Sequence, residues 1–250
     1  MQSILELAPP PADARLAWGK GVSQFGDIRV PKGNGPHPLV IYIHGGFWRA
    51  AYDLTHAGHI CAALTQAGWA TWNLEYRRIG EPGGGWPGTM DDVLAGAQYV
   101  TKLAAKFKLD VDRVVAAGHS AGGQLALWLA AQTAAPALRG VTSLAGVCDL
   151  RRAWELKLSD TVVEQLMGGT PQQVPKHYDL ASPIELLPMK VPQRLVHGTA
   201  DANVPFEMSE RFAHKSKNAK LIKLEGAGHF ELIDPRAKEW AIVKKSVTGW

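Results

Sequence analysis

Val114-Val115-Ala116-Ala117-Gly118-His119-Ser120-Ala121-Gly122-Gly123 is the stretch that decides the fold. It reads as a buried strand running straight into G-x-S-x-G. The residues after it, Gln124-Leu125-Ala126-Leu127-Trp128-Leu129-Ala130-Ala131, read as a helix. A strand that turns directly into a helix around a serine forces that serine into a strained backbone. Only small flanking residues tolerate the turn, so Gly118 and Gly122 are steric requirements. The turn lifts the Ser120 hydroxyl above the sheet edge and aims the helix N-terminus at it. Free N–H groups there favour developing negative charge. The competing reading, a glycine-rich connection without chemistry, loses weight because partners for the serine follow later in the chain.

Those partners are Asp201 and His229. A serine hydroxyl is a weak nucleophile at neutral pH and needs a base to take its proton. Histidine suits that role, and a carboxylate then fixes its tautomer and stabilises the imidazolium. Asp201 follows the apolar strand Arg194-Leu195-Val196-His197 and the turn Gly198-Thr199-Ala200. His229 follows Lys220-Leu221-Ile222-Lys223-Leu224 and the loop Glu225-Gly226-Ala227-Gly228. Both positions fall where a strand ends, the place where open α/β sheets bind ligands. Asp149, after the strand Val141–Val147, is the rival acid, and Asp201 is itself good turn chemistry. His197 and His119 are the rival bases. His197 reads as a hydrogen-bonded histidine inside its strand, and His119 is too close to Ser120 in the chain to fold back onto its hydroxyl.

Pro38-Leu39-Val40-Ile41-Tyr42-Ile43 is a near-continuous apolar run, as expected of a strand buried on both faces. It ends in His44-Gly45-Gly46-Phe47-Trp48. Tandem glycines let backbone N–H groups approach a ligand closely. The expected oxyanion donors are the N–H groups of Ala121 and Gly46, with Phe47 as the next candidate.

Taken together, these motifs resemble a serine hydrolase of the α/β-hydrolase fold, with the chain order Ser, Asp, His. His44-Gly45-Gly46-Phe47-Trp48 is similar to the H-G-G-x-W motif of the kynurenine formamidase (arylformamidase) branch and of related bacterial carboxylesterases. It departs from the H-G-G-G motif of hormone-sensitive-lipase-like esterases at Phe47. The elbow is shared by all these branches and does not separate them. The resemblance covers essentially the whole chain. It implies a mostly parallel central sheet with helices on both faces, a Ser120–His229–Asp201 triad and no cofactor.

Length and composition agree with that implication. At 250 residues and 46% hydrophobic content the chain can bury one sizeable core, so residues 1–250 read as a single α/β domain. After the Gly83–Gly88 loop, Thr89 is expected to cap a helix with Asp92 completing a capping box. Val93, Ala97, Val100 and Phe107 recur at helical spacing in that helix. The N-terminal stretch with Pro9-Pro10-Pro11 reads as a loosely ordered lead-in to two antiparallel edge strands. Net charge is +4, with basic and acidic residues interspersed, which argues against nucleic-acid binding. Two cysteines, Cys61 and Cys148, are too few for a disulfide framework and lack metal spacing. His44, His56 and His59 lack H-E-x-x-H spacing and a neighbouring acidic ligand, so no metal is expected. No signal peptide or membrane-spanning run is read, and a cytoplasmic enzyme, monomeric or homo-oligomeric, is expected.

The segment 149–191 is longer than a usual crossover. It reads either as a small cap over the site or as crossover helices on the sheet flank. Among the nine tryptophans, Trp48, Trp86 and Trp154 fall in or beside loops and are expected to line a substrate pocket. Trp69, Trp72 and Trp128 read as core. The expected function is hydrolysis of a small carboxylic ester, short in its acyl group. An arylformamidase acting on an N-formyl aryl amine is the alternative, and a binding protein that kept the fold is the alternative from another class.

Overall fold

The apolar run 38–43 becomes the third of eight strands in one sheet. These are β1 (Ala14–Ala17), β2 (Phe25–Arg29), β3 (His37–Ile43), β4 (Ala70–Leu74), β5 (Leu109–His119), β6 (Val141–Leu144), β7 (Gln193–Gly198) and β8 (Ala219–Leu224). Their spatial order in the computed structural model, which describes residues 3–250, is β1-β2-β4-β3-β5-β6-β7-β8. β1 and β2 are antiparallel additions at one edge, and every pairing from β4 to β8 is parallel. At the outer edge Arg15 lies opposite Asp27 and pairs with it at 2.7 Å. A charged, short edge strand discourages pairing with another chain.

Period-two alternation sends side chains to two cores. Leu39, Ile41 and Ile43 of β3 enter one cluster, and Val40 and Tyr42 enter the other. The first is covered by α2 (Gly88–Gln98), α3 (Val100–Phe107), α4 (Ala121–Ala130), α5 (Leu150–Glu155), α6 (Val162–Met167), α7 (Pro175–Ala181) and α8 (Glu207–Lys215). The second is covered by α1 (Gly58–Gln66) and α9 (Trp240–Thr248). All ten residues of α4 are buried, so this helix has no solvent face and needs no amphipathic stripe.

The expected helix after residue 88 is two helices, interrupted at Tyr99. Thr89 and Asp92 do not form the cap. The Thr89 hydroxyl donates to the Arg77 carbonyl at 2.6 Å. The Asp92 carboxylate accepts from Arg77 Nε and Nη2 at 2.8 and 2.7 Å and from Gln24 Nε2 at 2.9 Å. Partners distant in sequence outcompeted the local cap.

Segment 149–191 packs on the flank. Ala153, Val162, Val163, Leu166, Met167, Tyr178 and Ala181 are buried in the first core. Gln124 Nε2 donates to the Ala181 carbonyl at 2.9 Å, and Trp128 Nε1 to that of Leu180 at 3.0 Å.

Between β5 and α4, Ser120 sits at φ 58° and ψ −122°. A Cβ on Gly118 would strike the Gly122 carbonyl, and one on Gly122 would strike the carbonyl oxygens of Ile43 and His44. Gly122→Ala is therefore expected to lower the unfolding free energy by at least about 2 kcal/mol in urea titration, since backbone atoms cannot step aside. Gly68→Ala, at φ 91° in open space, should meet only the left-handed backbone cost of about 1–2 kcal/mol. A loss at Gly122 no larger than at Gly68 would refute the steric account.

Candidate active site

Three strand ends converge on one cavity. β5 delivers Ser120, β7 leads through Thr199 and Ala200 to Asp201, and β8 leads through the 225–228 loop to His229. Asp201 Oδ2 accepts from His229 Nδ1 at 2.6 Å. Asp201 Oδ1 accepts from the backbone N–H groups of Asn203 and Val204, both at 2.8 Å. His197 Nε2 lies 3.3 Å from Oδ2. Burial alone would push the Asp201 carboxyl up. Hydrogen bonds from His197 and His229, with the charge of His229, outweigh it and hold the group well below the usual carboxylate range. These contacts favour the ionised form of Asp201. With Nδ1–H tied to it, the lone pair of the His229 ring lies at Nε2. Ser120 and His229 border the same cavity of about 400 Å³.

The loop after β3 supplies the facing wall. Gly46 (φ 105°), Phe47 (φ 50°) and Trp48 (φ 57°) run in the left-handed region. That run turns the backbone sharply, and Gly46 and Phe47 line the cavity beside Ser120. Gly45 passes so close that a Cβ there would lie 2.8 Å from the His119 carbonyl and 3.0 Å from Ser120 Cβ. Ala121 opens α4, so its N–H is one of the first-turn donors without an intrahelical acceptor.

The rival acid and bases are engaged elsewhere. Asp149 caps α5 through the Arg152 N–H at 3.0 Å and pairs with Arg211 at 2.9 Å. His197 is a strand histidine, buried, with Nδ1 2.8 Å from Ser209 Oγ and Nε2 donating to the Val204 carbonyl at 3.0 Å. His119 Nε2 donates to the His229 carbonyl at 3.0 Å, and the two rings lie 4.3 Å apart.

The expectation that Trp48, Trp86 and Trp154 line the pocket does not hold. Trp48 is fully buried in the first core, with Nε1 donating to Gln124 Oε1 at 3.0 Å. The left-handed turn at Phe47–Trp48 points the indole inward. Trp86 packs beside His177 with its backbone N–H bonded to the Leu166 carbonyl. Trp154 donates to Glu164 at 3.3 Å. The cavity takes no lining residue from 149–191, so this segment forms no wall of it.

Several lining residues carry no motif. Leu5, Leu7, Ala51, Tyr52, Asp53, Thr55, His56, Asn203 and Phe230 complete the cavity. The N-terminal stretch is accordingly a wall of the site, where a loose lead-in is expected from sequence. Glu75 was also missed. It is 1% exposed, lies 2.9 Å from His44 Nε2 and accepts from the Leu54 N–H at 3.0 Å. Burial pushes its carboxyl up, but His44 and then Arg78 bring it below the usual range. Tyr76 stacks on His44 at 4.4 Å and donates to its carbonyl at 2.9 Å, while Arg78 Nη1 donates to the Tyr52 carbonyl at 2.7 Å. Glu75-Tyr76-Arg77-Arg78 directly follows β4. Charges at the carboxyl end of a buried parallel strand were the available signal.

Among the described residues, no group of three or more His, Cys, Asp or Glu could hold a metal ion, and no helix is long and apolar enough to cross a membrane.

The sequence pattern of the BD-FAE family matches residues 27–216. "Esterase LipC" of Mycobacterium tuberculosis is 25% identical over 88% of this chain and 60% of its own length. "Probable isoprenylcysteine alpha-carbonyl methylesterase ICME" of Oryza sativa subsp. japonica is 26% identical over 83% of this chain and 55% of its own length. The chain thus spans less than two thirds of these relatives. Among solved structures, the thermophilic esterase Est2 of Thermogutta terrifontis, with propionate bound, superposes with a TM-score of 0.77 at 20% identity, covering 94% of this chain and 92% of its own. That likeness is one of α/β-hydrolase fold.

Two cavity histidines resist protonation. Burial, then His229, holds His119 well below its ordinary value. Burial, then His44, lowers His56 to about 4. In the unfolded chain each takes up a proton near pH 6.5. Below that pH the unfolded state binds more protons, so stability falls as pH drops from about 6.5 towards 4. Each group contributes up to about 1.4 kcal/mol per pH unit in that window. Urea titrations of wild type and His56→Asn should show the variant's slope smaller by about one proton. Identical slopes would contradict the lowered His56.

Proposed function

This chain belongs to the BD-FAE family, and on that premise we propose that it hydrolyses carboxylic esters with short acyl groups through an acyl-enzyme on Ser120. One observation carries the reading. Ser120, on a strained elbow, shares a cavity with His229, whose other ring nitrogen is held at 2.6 Å by a buried carboxylate.

In this mechanism Ser120 Oγ attacks the ester carbonyl carbon as His229 Nε2 takes its proton. The tetrahedral oxyanion is met by the N–H groups of Ala121 and Gly46, with Phe47 next in line. Collapse breaks the carbonyl–alkoxy bond, and His229 gives its proton to the leaving alcohol. Water then repeats the sequence on the acyl-enzyme and frees the acid. Asp201 stays ionised throughout and stabilises the imidazolium, consistent with its depressed proton affinity. No step requires a cofactor.

Size supports a small substrate. A cavity of about 400 Å³ is at the small end of ligand pockets. Thermogutta Est2 is described with propionate bound, and its fold is shared. The same machinery would act on an N-formyl aryl amine, so that substrate belongs in the assay.

Ser120→Ala should keep the wild-type melting temperature and lower kcat by about three orders of magnitude or more, and a fluorophosphonate should label wild type at Ser120 only. Retention of a tenth of the activity would remove Ser120 as nucleophile. Across p-nitrophenyl acetate, butyrate and decanoate, kcat/KM should fall at least tenfold from butyrate to decanoate, about 1.4 kcal/mol of transition-state binding. N-formylkynurenine turned over faster than every ester would replace the ester reading with the formamide one.

A further inference from the structure

The cavity's apolar rim is built from residues that belong to no motif, Leu5 being far from all of them in the chain. Leu5 is 43% exposed, Tyr52 51% and Phe230 38%. These are three of the few large apolar side chains left in solvent, and all three line the one cavity that holds Ser120. Exposed apolar area gathered around a concave site marks a surface that is covered when ligand binds.

Leu5 arrives there because the N-terminal segment is fastened at successive points. Ile4–Glu6 forms a 3₁₀ turn whose first N–H donors include Leu5 N to Ser3 Oγ at 3.3 Å. Ile4, 4% exposed, is sunk into the second core with Tyr42, Ile60 and Leu232. The Leu7 carbonyl accepts from His59 Nε2 at 3.0 Å. Pro9 packs on Gly58, where a Cβ would collide with its ring, and the Pro10 carbonyl accepts from Arg29 Nη2 at 2.9 Å. Between these anchors Leu5 and Leu7 both face the cavity. A segment tethered on either side of a half-exposed leucine holds that leucine at the mouth at low entropic cost on binding.

We propose that residues 3–7 form a selectivity strap. Leu5 and Leu7, with Phe47, Tyr52 and Phe230, enclose an apolar alkyl or aryl group of the ester and set the largest group that fits. The proposal rests on the hydrolase reading above. It assigns the size limit to the strap, and not to the tryptophans of the oxyanion loop and its neighbours.

Three variants test it, with kcat/KM measured on p-nitrophenyl acetate and octanoate and melting temperature recorded for each. Leu5→Ala/Leu7→Ala should raise the octanoate-to-acetate ratio at least fivefold. Leu5→Trp, at a half-exposed position that tolerates bulk, should lower the ratio at least fivefold. Val22→Ala, 94% exposed and away from the cavity, should leave the ratio unchanged. Ratios within twofold of wild type in both Leu5 variants, with ester turnover intact, would overturn the strap and leave the esterase reading standing. A wild type that hydrolyses neither ester and is not labelled by fluorophosphonate at Ser120 would overturn the esterase reading, and the strap with it.

Discussion

Everything at the site depends on a serine held in a backbone conformation that serine does not choose. At φ 58° and ψ −122° Ser120 lies outside the regions comfortable for a residue with a Cβ, at a cost of order 1–3 kcal/mol. That cost is met by over-determination. The Ser120 N–H donates to the Leu144 carbonyl at 2.8 Å, and its carbonyl accepts from Gly123 at 2.9 Å. β5 is locked between β3 and β6, and α4 is buried on every side. The glycines at 118 and 122 let the strand and helix come within carbonyl contact of the β3 end. The loop after β3 and Ser120 are adjacent because that close approach is sterically possible.

A second set of interactions keeps the facing loop in register with the elbow. Gly46, Phe47 and Trp48 in left-handed conformation would not hold their shape alone. Trp48 anchors one end through its buried ring and its bond to Gln124, a residue of α4 itself. His44 anchors the other through Glu75 and Tyr76. Buried charges are tolerated only when paired and hydrogen-bonded, and Glu75 is: His44, the Leu54 and Tyr76 N–H groups and Arg78 surround it. The same cluster therefore ties the loop after β3 to residues 52–54, which carry Tyr52 and Asp53 to the cavity.

The departures from sequence expectation share one cause. Trp48 lies beside a glycine pair in a loop, and loop tryptophans near a site suggest a pocket. Its direction was set by a backbone turn at Phe47 that no local pattern announces. Thr89 and Asp92 have capping-box spacing, yet Arg77 and Gln24, from other elements, took their oxygens. Leu5 and Leu7 sit in a stretch without periodicity, so nothing local distinguished a wall from a tail. In each case the deciding contact is distant in the chain: Gln124 holds the Trp48 ring, Arg77 and Gln24 outweigh a capping preference of about 1 kcal/mol, and His59 fastens Leu7.

What the sequence by itself determined is the set of properties that are local: the strand–glycine–serine–glycine–helix turn, the apolar runs of the parallel strands and the glycine pair after β3. Each of these is dictated by sterics or periodicity within about ten residues, so the residues alone carry them. The tertiary structure alone decided what surrounds those elements. It placed Asp201 beside His229 and Asp149 beside Arg211. It turned the tryptophans inward, laid 149–191 on the flank, and brought residues 5 and 7 to a cavity whose serine lies more than a hundred positions away. Chain folding makes such neighbours by burying apolar surface, and that energy depends on area covered and not on separation along the sequence.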